Sequence, residues 1–220
     1  MSTAVTFTPL IGARTDEPAC CHLLELGALT LLLDCGWSAT FDDLDALTPI
    51  AEAAPRVDAV LITHGDVAHL GALPYAYARL GLRAPVYATL PVCKMGQMAL
   101  YDAHAAAARH RPDFDDERFS LDDVHAAFSG VRELKFSQLI KLPGGATIAP
   151  HAAGHSIGGC MWRITFGAED IVYCPEYNHQ RERHLPAGGL DALARPTLLI
   201  APALNAQVAA ERNAARTLTE

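Results

Sequence analysis

The feature that most restricts how this chain can fold is the stretch VDAVLITHGDVAHLGALP, running from Val57 to Pro74. Ala59-Val-Leu-Ile62 is a short apolar run of strand length and reads as a buried strand. It breaks into Thr63-His64-Gly65-Asp66-Val67-Ala68-His69 and resumes as a helix start at Leu70-Gly-Ala-Leu-Pro74. A strand that delivers His, Asp and His onto a loop at its C-terminal end belongs to an α/β architecture, and that is where such folds place ligand sites. His64, Asp66 and His69 can together ring one or two metal ions. The same three side chains can also cap a turn and bind nothing, so the spacing alone leaves both readings open.

The flanking pattern supports the architecture. Val5–Leu10 reads as a first strand. Cys20–Leu26 and Ala28–Asp34 read as a hairpin joined at Gly27, the second arm apolar on both faces and therefore central in its sheet. Asp34, at the end of that arm, can bond its own turn or reach across to brace the His64 loop. Phe41–Ala53 reads as a helix ended by Pro55, and a further helix runs from about Ala72 to Leu80. A strand ends at Thr89, a long alanine-rich helix covers Val92–His110, and Ser120–Phe128 is a short helix with Ser120 as N-cap. From Val131 the pattern turns to strands separated by glycines: Ser137–Leu142, Ala146–Pro150, Met161–Phe166 and Asp170–Cys174, with Leu198–Ile200 as the last. His155 lies between them in AGHSIGG, and glycines flanking a histidine indicate a close backbone approach. Glu176 follows a strand in CPEYNH. Asn178–His184 carries Arg181 and Arg183 and reads as a solvated loop or as a contact for RNA or a partner. His104, His110 and His125 have no partners at ligand spacing and read as surface or packing residues.

Bulk properties exclude some functions. At 220 residues the chain can bury a full core in one or two domains. No apolar run approaches the ~20 residues that span a bilayer, and the N-terminal stretch lacks the basic flank and apolar core of a secretory signal. The net charge of −8 makes a poor stand-alone nucleic-acid binder, because phosphate neutralisation dominates that affinity. Any positive surface for RNA would come from a partner. Cys20, Cys21, Cys35, Cys93, Cys160 and Cys174 form no CxxC pair and mostly lie in apolar runs, the pattern of buried reduced thiols in a cytosolic or nuclear protein.

The stretches LLLDCGW, HLGALPYA, PVCKMGQMALYD, SLDDVHAAF, LKFSQLIKL, AGHSIGG, IVYCPEYNH and ARPTLLI, in this order over almost the whole chain, resemble the subunit 2 family of the cleavage and polyadenylation specificity factors. That family lies in the β-CASP branch of the metallo-β-lactamase fold. The resemblance implies an α/β, αββα metallo-β-lactamase-like sandwich of which this chain holds the N-terminal portion: residues 1–205 as the lactamase-like domain and 206–220 as the truncated start of the β-CASP region, with the insertion and the returning segment beyond Glu220.

Active relatives use a loop of the form His-x-His-x-Asp-His for two zinc ions. Residue by residue, its first histidine falls on His64, the second on Asp66, the aspartate on Ala68 and the last on His69. The later single histidine falls on His155, the bridging aspartate on Glu176, and the acid after the final strand on Pro202. Asp34 matches the supporting aspartate, which braces the loop and does not bind metal. Two-metal phosphodiester hydrolysis needs several ligands around ions ~3.5–4 Å apart. With Asp66, Ala68 and Glu176 in these places the resemblance implies a non-catalytic pseudo-nuclease with no intact metal site and no cofactor, the positions His64, Asp66, His69, His155 and Glu176 being vestigial. The runner-up is a metal-dependent RNA hydrolase with a reduced site that uses His64, Asp66, His69, His155 and Glu176; the runner-up cofactor is one zinc ion, for which His64, Asp66 and His155 are the remnant half-site. It further implies a nuclear scaffold in pre-mRNA 3′-end processing. Its partners would be the homologous catalytic endonuclease subunit, a symplekin-like scaffold and other polyadenylation specificity factor subunits. It would meet pre-mRNA through that complex and touch no membrane.

Overall fold

The computed structural model describes residues 4–12, 18–193 and 195–202. Among the described residues eleven strands are β1 Val5–Ile11, β2 Cys21–Leu26, β3 Leu29–Leu33, β4 Ala59–Leu61, β5 Val86–Thr89, β6 Arg132–Leu134, β7 Ile140–Lys141, β8 Thr147–Ala152, β9 Cys160–Phe166, β10 Glu169–Tyr173 and β11 Leu198–Ile200. The helices are α1 Thr48–Ala53, α2 Val67–Leu70, α3 Leu73–Ala78, α4 Leu90–Ala108, α5 Phe114–Glu117 and α6 Leu121–Ser129. The strands form two sheets, β1-β2-β3-β4-β5-β6 and β11-β10-β9-β8-β7.

In the first sheet β1–β2–β3 are antiparallel, while β3–β4, β4–β5 and β5–β6 are parallel and joined through helices. All five residues of β3 are buried, as an arm apolar on both faces requires. Strand alternation then divides the side chains between two cores. Leu24, Leu31, Leu33, Leu61 and Tyr87 point at the second sheet and meet Ile148, Trp162, Ile164, Ile171 and Tyr173. Leu23, Leu32, Val60, Val86 and Ala88 point the other way and pack on Leu73, Val92, Leu100, Val124 and Phe128 from α3, α4 and α6. On the outer face of the second sheet Met161, Val172 and Cys174 pack with Leu193 of the single helical turn Leu190–Leu193. This is the expected sandwich of two sheets with helices outside. Among the described residues no helix is long and apolar enough to cross a membrane.

Local chemistry explains the helix starts. The Thr89 hydroxyl accepts from the Val92 amide at the head of α4, with Pro91 in the first turn where its missing N–H costs nothing. Ser120 and Asp123 cap α6 reciprocally: the Asp123 amide donates to the Ser120 hydroxyl, and the Ser120 amide to the Asp123 carboxylate.

Two expected elements differ. Phe41–Ala53 is not one helix: a 3-10 turn covers Asp45–Leu47, the α-helix is Thr48–Ala53, and Pro55 sits in a second 3-10 turn, Ala54–Arg56. Phe41 has φ +52°, in the left-handed region outside a right-handed helix. Burying its ring against Trp37, Phe114 and Phe119, at centroid distances of 5.3, 5.7 and 5.3 Å, outweighs helix propensity there. Arg118 Nε also donates to its carbonyl at 2.9 Å. Of Ser137–Leu142 only Ile140–Lys141 is strand, because Ser137 turns at φ +62° and its amide donates to the Pro150 carbonyl. The proposed start of the β-CASP region at 206–220 lies outside the described residues.

Candidate metal centre

The site lies where both sheets end. Asp34 follows β3, His64 follows β4, Glu176 follows β10, and His155 sits in the loop between β8 and β9. Each strand ends as its backbone turns out of the sheet, so side chains distant in sequence meet at one rim.

Asp34 is fully buried at φ +58°, a left-handed conformation that aspartate tolerates better than most residues. Its carboxylate accepts from the Thr63 amide at 2.7 Å, from the Thr63 hydroxyl at 3.0 and 2.8 Å, and from the Tyr173 hydroxyl at 2.8 Å. Burial still raises its pKa to about 6 against those bonds. Through these bonds Asp34 ties the end of β3 to Thr63, the residue before His64.

That bracing fixes the state of His64. A carboxylate only accepts, so the Thr63 hydroxyl donates to Asp34 and its oxygen accepts from His64 Nδ1–H at 2.9 Å. The other ring nitrogen, Nε2, is left as a bare lone pair. It is buried and has no hydrogen-bond partner. Burial, with the positive charge of His69 beside it, lowers the His64 pKa to about 3 and keeps the ring neutral.

His69 is set differently. Its Nδ1 lies 2.8 Å from Asp66 Oδ1. Burial opposes charge on this ring, but the bond to Asp66 and the carboxylates of Asp34 and Glu176 outweigh it and raise the pKa to about 9. Asp66 therefore serves as a partner of His69. Its own pKa is lowered because those same His69 contacts outweigh burial.

Among the described residues His64, His69 and Glu176 form a group whose potential ligand atoms all lie within 4.8 Å of one another. His64 and His69 have ring centroids 4.9 Å apart, and His64 and His155 5.6 Å. His155 Nε2 contacts Glu176 Oε2 at 3.0 Å. The sequence-based grouping of His64, Asp66 and His155 is thus rearranged: Asp66 backs His69, and Glu176 joins the two buried histidines. Ala68 contributes only its carbonyl, which accepts from the Cys20 amide at 2.8 Å, and Pro202 is exposed. Where histidine nitrogen and carboxylate oxygen converge, the donor set suits a borderline ion such as zinc.

Four further residues shape the site: Thr63, Tyr173, Ser156 and Gly159. Thr63 is recognisable only as the neighbour of His64. Ser156 and Gly159 lie within AGHSIGG, whose glycine signal is explained here: a Cβ on Gly159 would lie 2.4 Å from Ser156 Oγ and 2.9 Å from His64 Nε2. Tyr173 also contacts Cys20 Sγ at 3.1 Å, and that sulfur lies 3.1 Å from His22 Nε2.

Residues 23–200 match the family model of the metallo-beta-lactamase superfamily domain, and the chain belongs to that superfamily. The fold agrees with that of Zn(2+)-bound PqqB from Methylobacterium extorquens, at a TM-score of 0.52 and 17% identity over 83% of this chain and 59% of that one. Within the superfamily the chain is similar to cleavage and polyadenylation specificity factor subunit 2 of Oryza sativa subsp. japonica, 49% identical over 209 residues. The match covers 94% of this chain and 28% of that protein. It is also similar to the probable cleavage and polyadenylation specificity factor subunit 2 of Drosophila melanogaster, 43% identical over 220 residues, 98% of this chain and 28% of that protein. The chain thus spans under a third of the length of these relatives, and the likeness is the one its sequence motifs carry.

Proposed function

We propose that this chain is the metallo-β-lactamase-like part of a non-catalytic pseudo-nuclease, a scaffold subunit of a cleavage and polyadenylation specificity factor complex acting in the nucleus on pre-mRNA 3′ ends. Its partners are the homologous active endonuclease subunit, a symplekin-like scaffold and the other subunits of that complex, which bring it to RNA. The names of its relatives support the process. The observation that carries the non-catalytic reading is the occupation of the second half-site: Ala68 supplies a methyl group where a ligand is required, and Asp66 is engaged by His69. Two-metal hydrolysis needs both half-sites, and losses among groups that act as a unit cost orders of magnitude. The acidic charge of −8 favours a subunit that relies on its partners for RNA.

The second reading, a metal-dependent RNA hydrolase with a reduced site, is favoured by the convergence of His64, His69 and Glu176. Reconstitution distinguishes them. On the scaffold reading, a complex carrying Glu176→Gln in this subunit cleaves RNA at the wild-type rate, while omitting the subunit abolishes assembly with the endonuclease. Loss of cleavage on Glu176→Gln with assembly intact establishes the hydrolase instead.

A further inference from the structure

We infer that the loop 178–188 docks an acidic segment of a partner protein, whose carboxylates Arg181 and Arg183 hold and whose apolar side chains meet Tyr177. The loop carries this on its own geometry, whichever of the scaffold and hydrolase readings holds.

The loop is closed and pinned. Its two ends meet, the Gly188 amide donating to the Asn178 carbonyl at 2.8 Å. They are also tied to the end of β8: the Asn178 amide donates to the Ala153 carbonyl, and the Gly189 amide to the Ala152 carbonyl, each at 2.9 Å. Glycine makes this approach possible. A Cβ on Gly154 would stand 2.6 Å from the Asn178 carbonyl oxygen, and one on Gly188 2.6 Å from that of Ala153. The Asn178 side chain then uses both its ends within the loop. Its Oδ1 accepts from the Gln180 amide at 2.9 Å, and its Nδ2 donates to Glu182 Oε1 at 2.8 Å. The Glu182 amide donates to the Leu185 carbonyl at 3.1 Å. A compact surface loop whose ends meet is an Ω-loop, a form that is frequently functional. Because its backbone is ordered before a partner arrives, less entropy is lost on binding.

Charge is left unsatisfied on this frame. Glu182 lies between Arg181 and Arg183 in sequence, yet its carboxylate is engaged by Asn178. Among the described residues neither arginine forms an ion pair, whereas Arg56, Arg111, Arg118 and Arg163 each face a carboxylate. Both are exposed, in a chain whose net charge is −8. Two free guanidiniums at alternate positions, with Cα atoms at most ~7 Å apart, present two forks that match carboxylates bidentately. Tyr177, just before the loop, is 39% exposed, and Ile157, in the neighbouring His155 loop, is 61% exposed. Arginine and tyrosine are the residues enriched where partner proteins bind most strongly.

The surroundings suit a short acidic peptide better than a nucleic-acid strand. Binding a single strand takes a positive groove that follows the backbone over several nucleotides. Here the cationic pair is local, with Asp66 exposed and Glu176 partly exposed at the adjoining rim. A strand continuing past the loop would meet those carboxylates. A peptide places its charges only where the arginines stand and turns an apolar residue toward Tyr177.

The test uses the full-length protein and labelled probes read by fluorescence anisotropy: a peptide of glutamate and leucine, the same peptide with lysine in place of glutamate, and oligo(U) RNA. The acidic peptide should bind saturably and more tightly than the other two, with affinity falling as salt rises. Arg181→Gln with Arg183→Gln should weaken it about tenfold, or about 1.4 kcal/mol over the two charges. Tyr177→Ala should weaken it with the salt dependence retained. Arg181→Glu with Arg183→Glu should move the preference to the lysine peptide, a gain that a loss of folding cannot imitate. Absence of saturable binding of the acidic peptide overturns the assignment. So does an affinity unchanged by the arginine substitutions, or oligo(U) held more tightly than the acidic peptide through the same arginines.

Discussion

Replacing Gly36 by alanine tests how the loop between β4 and α3 is held. Gly36 follows β3, and its φ is not among the positive ones, so alanine meets no conformational bar there. A Cβ at this position would stand 1.7 Å from the Ala68 carbonyl oxygen, 2.6 Å from its carbon and 2.8 Å from the Cys20 nitrogen. All three are backbone atoms, and none can swing aside. Relief requires the 67–69 segment to move off by more than an ångström. Four backbone hydrogen bonds cross this junction: Cys20 N–H to Ala68 O, Gly36 N–H to Cys20 O, Cys35 N–H to His69 O and Trp37 N–H to Val67 O, at 2.8, 2.9, 2.8 and 3.1 Å. At about 1 kcal/mol net for each, their loss costs about 4 kcal/mol, which for a domain of this size lowers Tm by roughly 8–16 °C. Urea titration followed by circular dichroism reads the change. Gly130→Ala is the control, having open space around it and φ −97°, and it should be neutral or stabilise by up to about 1 kcal/mol. Native-state hydrogen exchange should show faster exchange of the Cys35 amide in Gly36→Ala. A Gly36→Ala protein within 1 kcal/mol of wild type would refute the claim that close backbone approach fixes this loop.

Three further outcomes are open to measurement. Burial, with the charge of His69 nearby, lowers the His22 pKa to about 4 from 6.5. Between those values the unfolded chain binds a proton that the folded one does not, so stability falls as pH drops through this window, by about 2 kcal/mol from pH 7 to 5. His22→Gln should flatten that fall, and an unchanged slope would exclude His22 as its source. Trp162 Nε1 donates to the Ile62 carbonyl at 3.1 Å, directly before the His64 loop, so Trp162→Phe should cost about 1–3 kcal/mol in urea; a smaller loss would mean that the carbonyl finds another donor. Burial pushes the Cys20 thiol up to about 12 and Cys174 up to about 11, and all cysteines but Cys20 are buried. Reaction with a disulfide reagent at pH 8 should therefore be slow until urea unfolds the chain, whereas a rapid burst of several thiols would contradict this burial.

The fold was legible wherever a local pattern reports a global environment. The run Leu29–Leu33 is apolar on both faces because helices cover one side of its sheet and a second sheet the other. The Ser120 cap needs nothing beyond its own turn. Phe41 was misread because its conformation is set by rings from residues more than seventy positions away. The site divides in the same way. His64, His69, His155, Glu176 and Asp34 could be read individually from strand ends and from the family resemblance. Their grouping could not, since whether Asp66 faces an ion or His69 is a matter of side-chain rotation. Tyr173 was invisible for a related reason: it reaches Asp34 across 139 residues, by a contact between sheets that leaves no periodic trace.

The persistence of the site geometry has a structural cause that does not require catalysis. The chain Tyr173–Asp34–Thr63–His64 links β10 of one sheet to the ends of β3 and β4 in the other, and its members are buried. Deleting the Asp34 carboxylate leaves the Thr63 amide without this acceptor in the interior, at about 1–3 kcal/mol, and leaves the Tyr173 hydroxyl only the weaker Cys20 sulfur at 3.1 Å. The network therefore contributes to stability whether or not an ion is present, and as a consequence it holds His64 in the tautomer that a metal ion requires. Glu176 lies outside it, at the exposed edge, with His155 Nε2 at 3.0 Å from its carboxylate. Two substitutions separate the roles. Asp34→Ala should lower stability, because it removes the brace. Glu176→Gln should leave stability unchanged. If Glu176→Gln destabilised the protein by more than about 1 kcal/mol, the exposed His155 contact would be part of the fold's support, and the division between a buried structural frame and an exposed edge would fail.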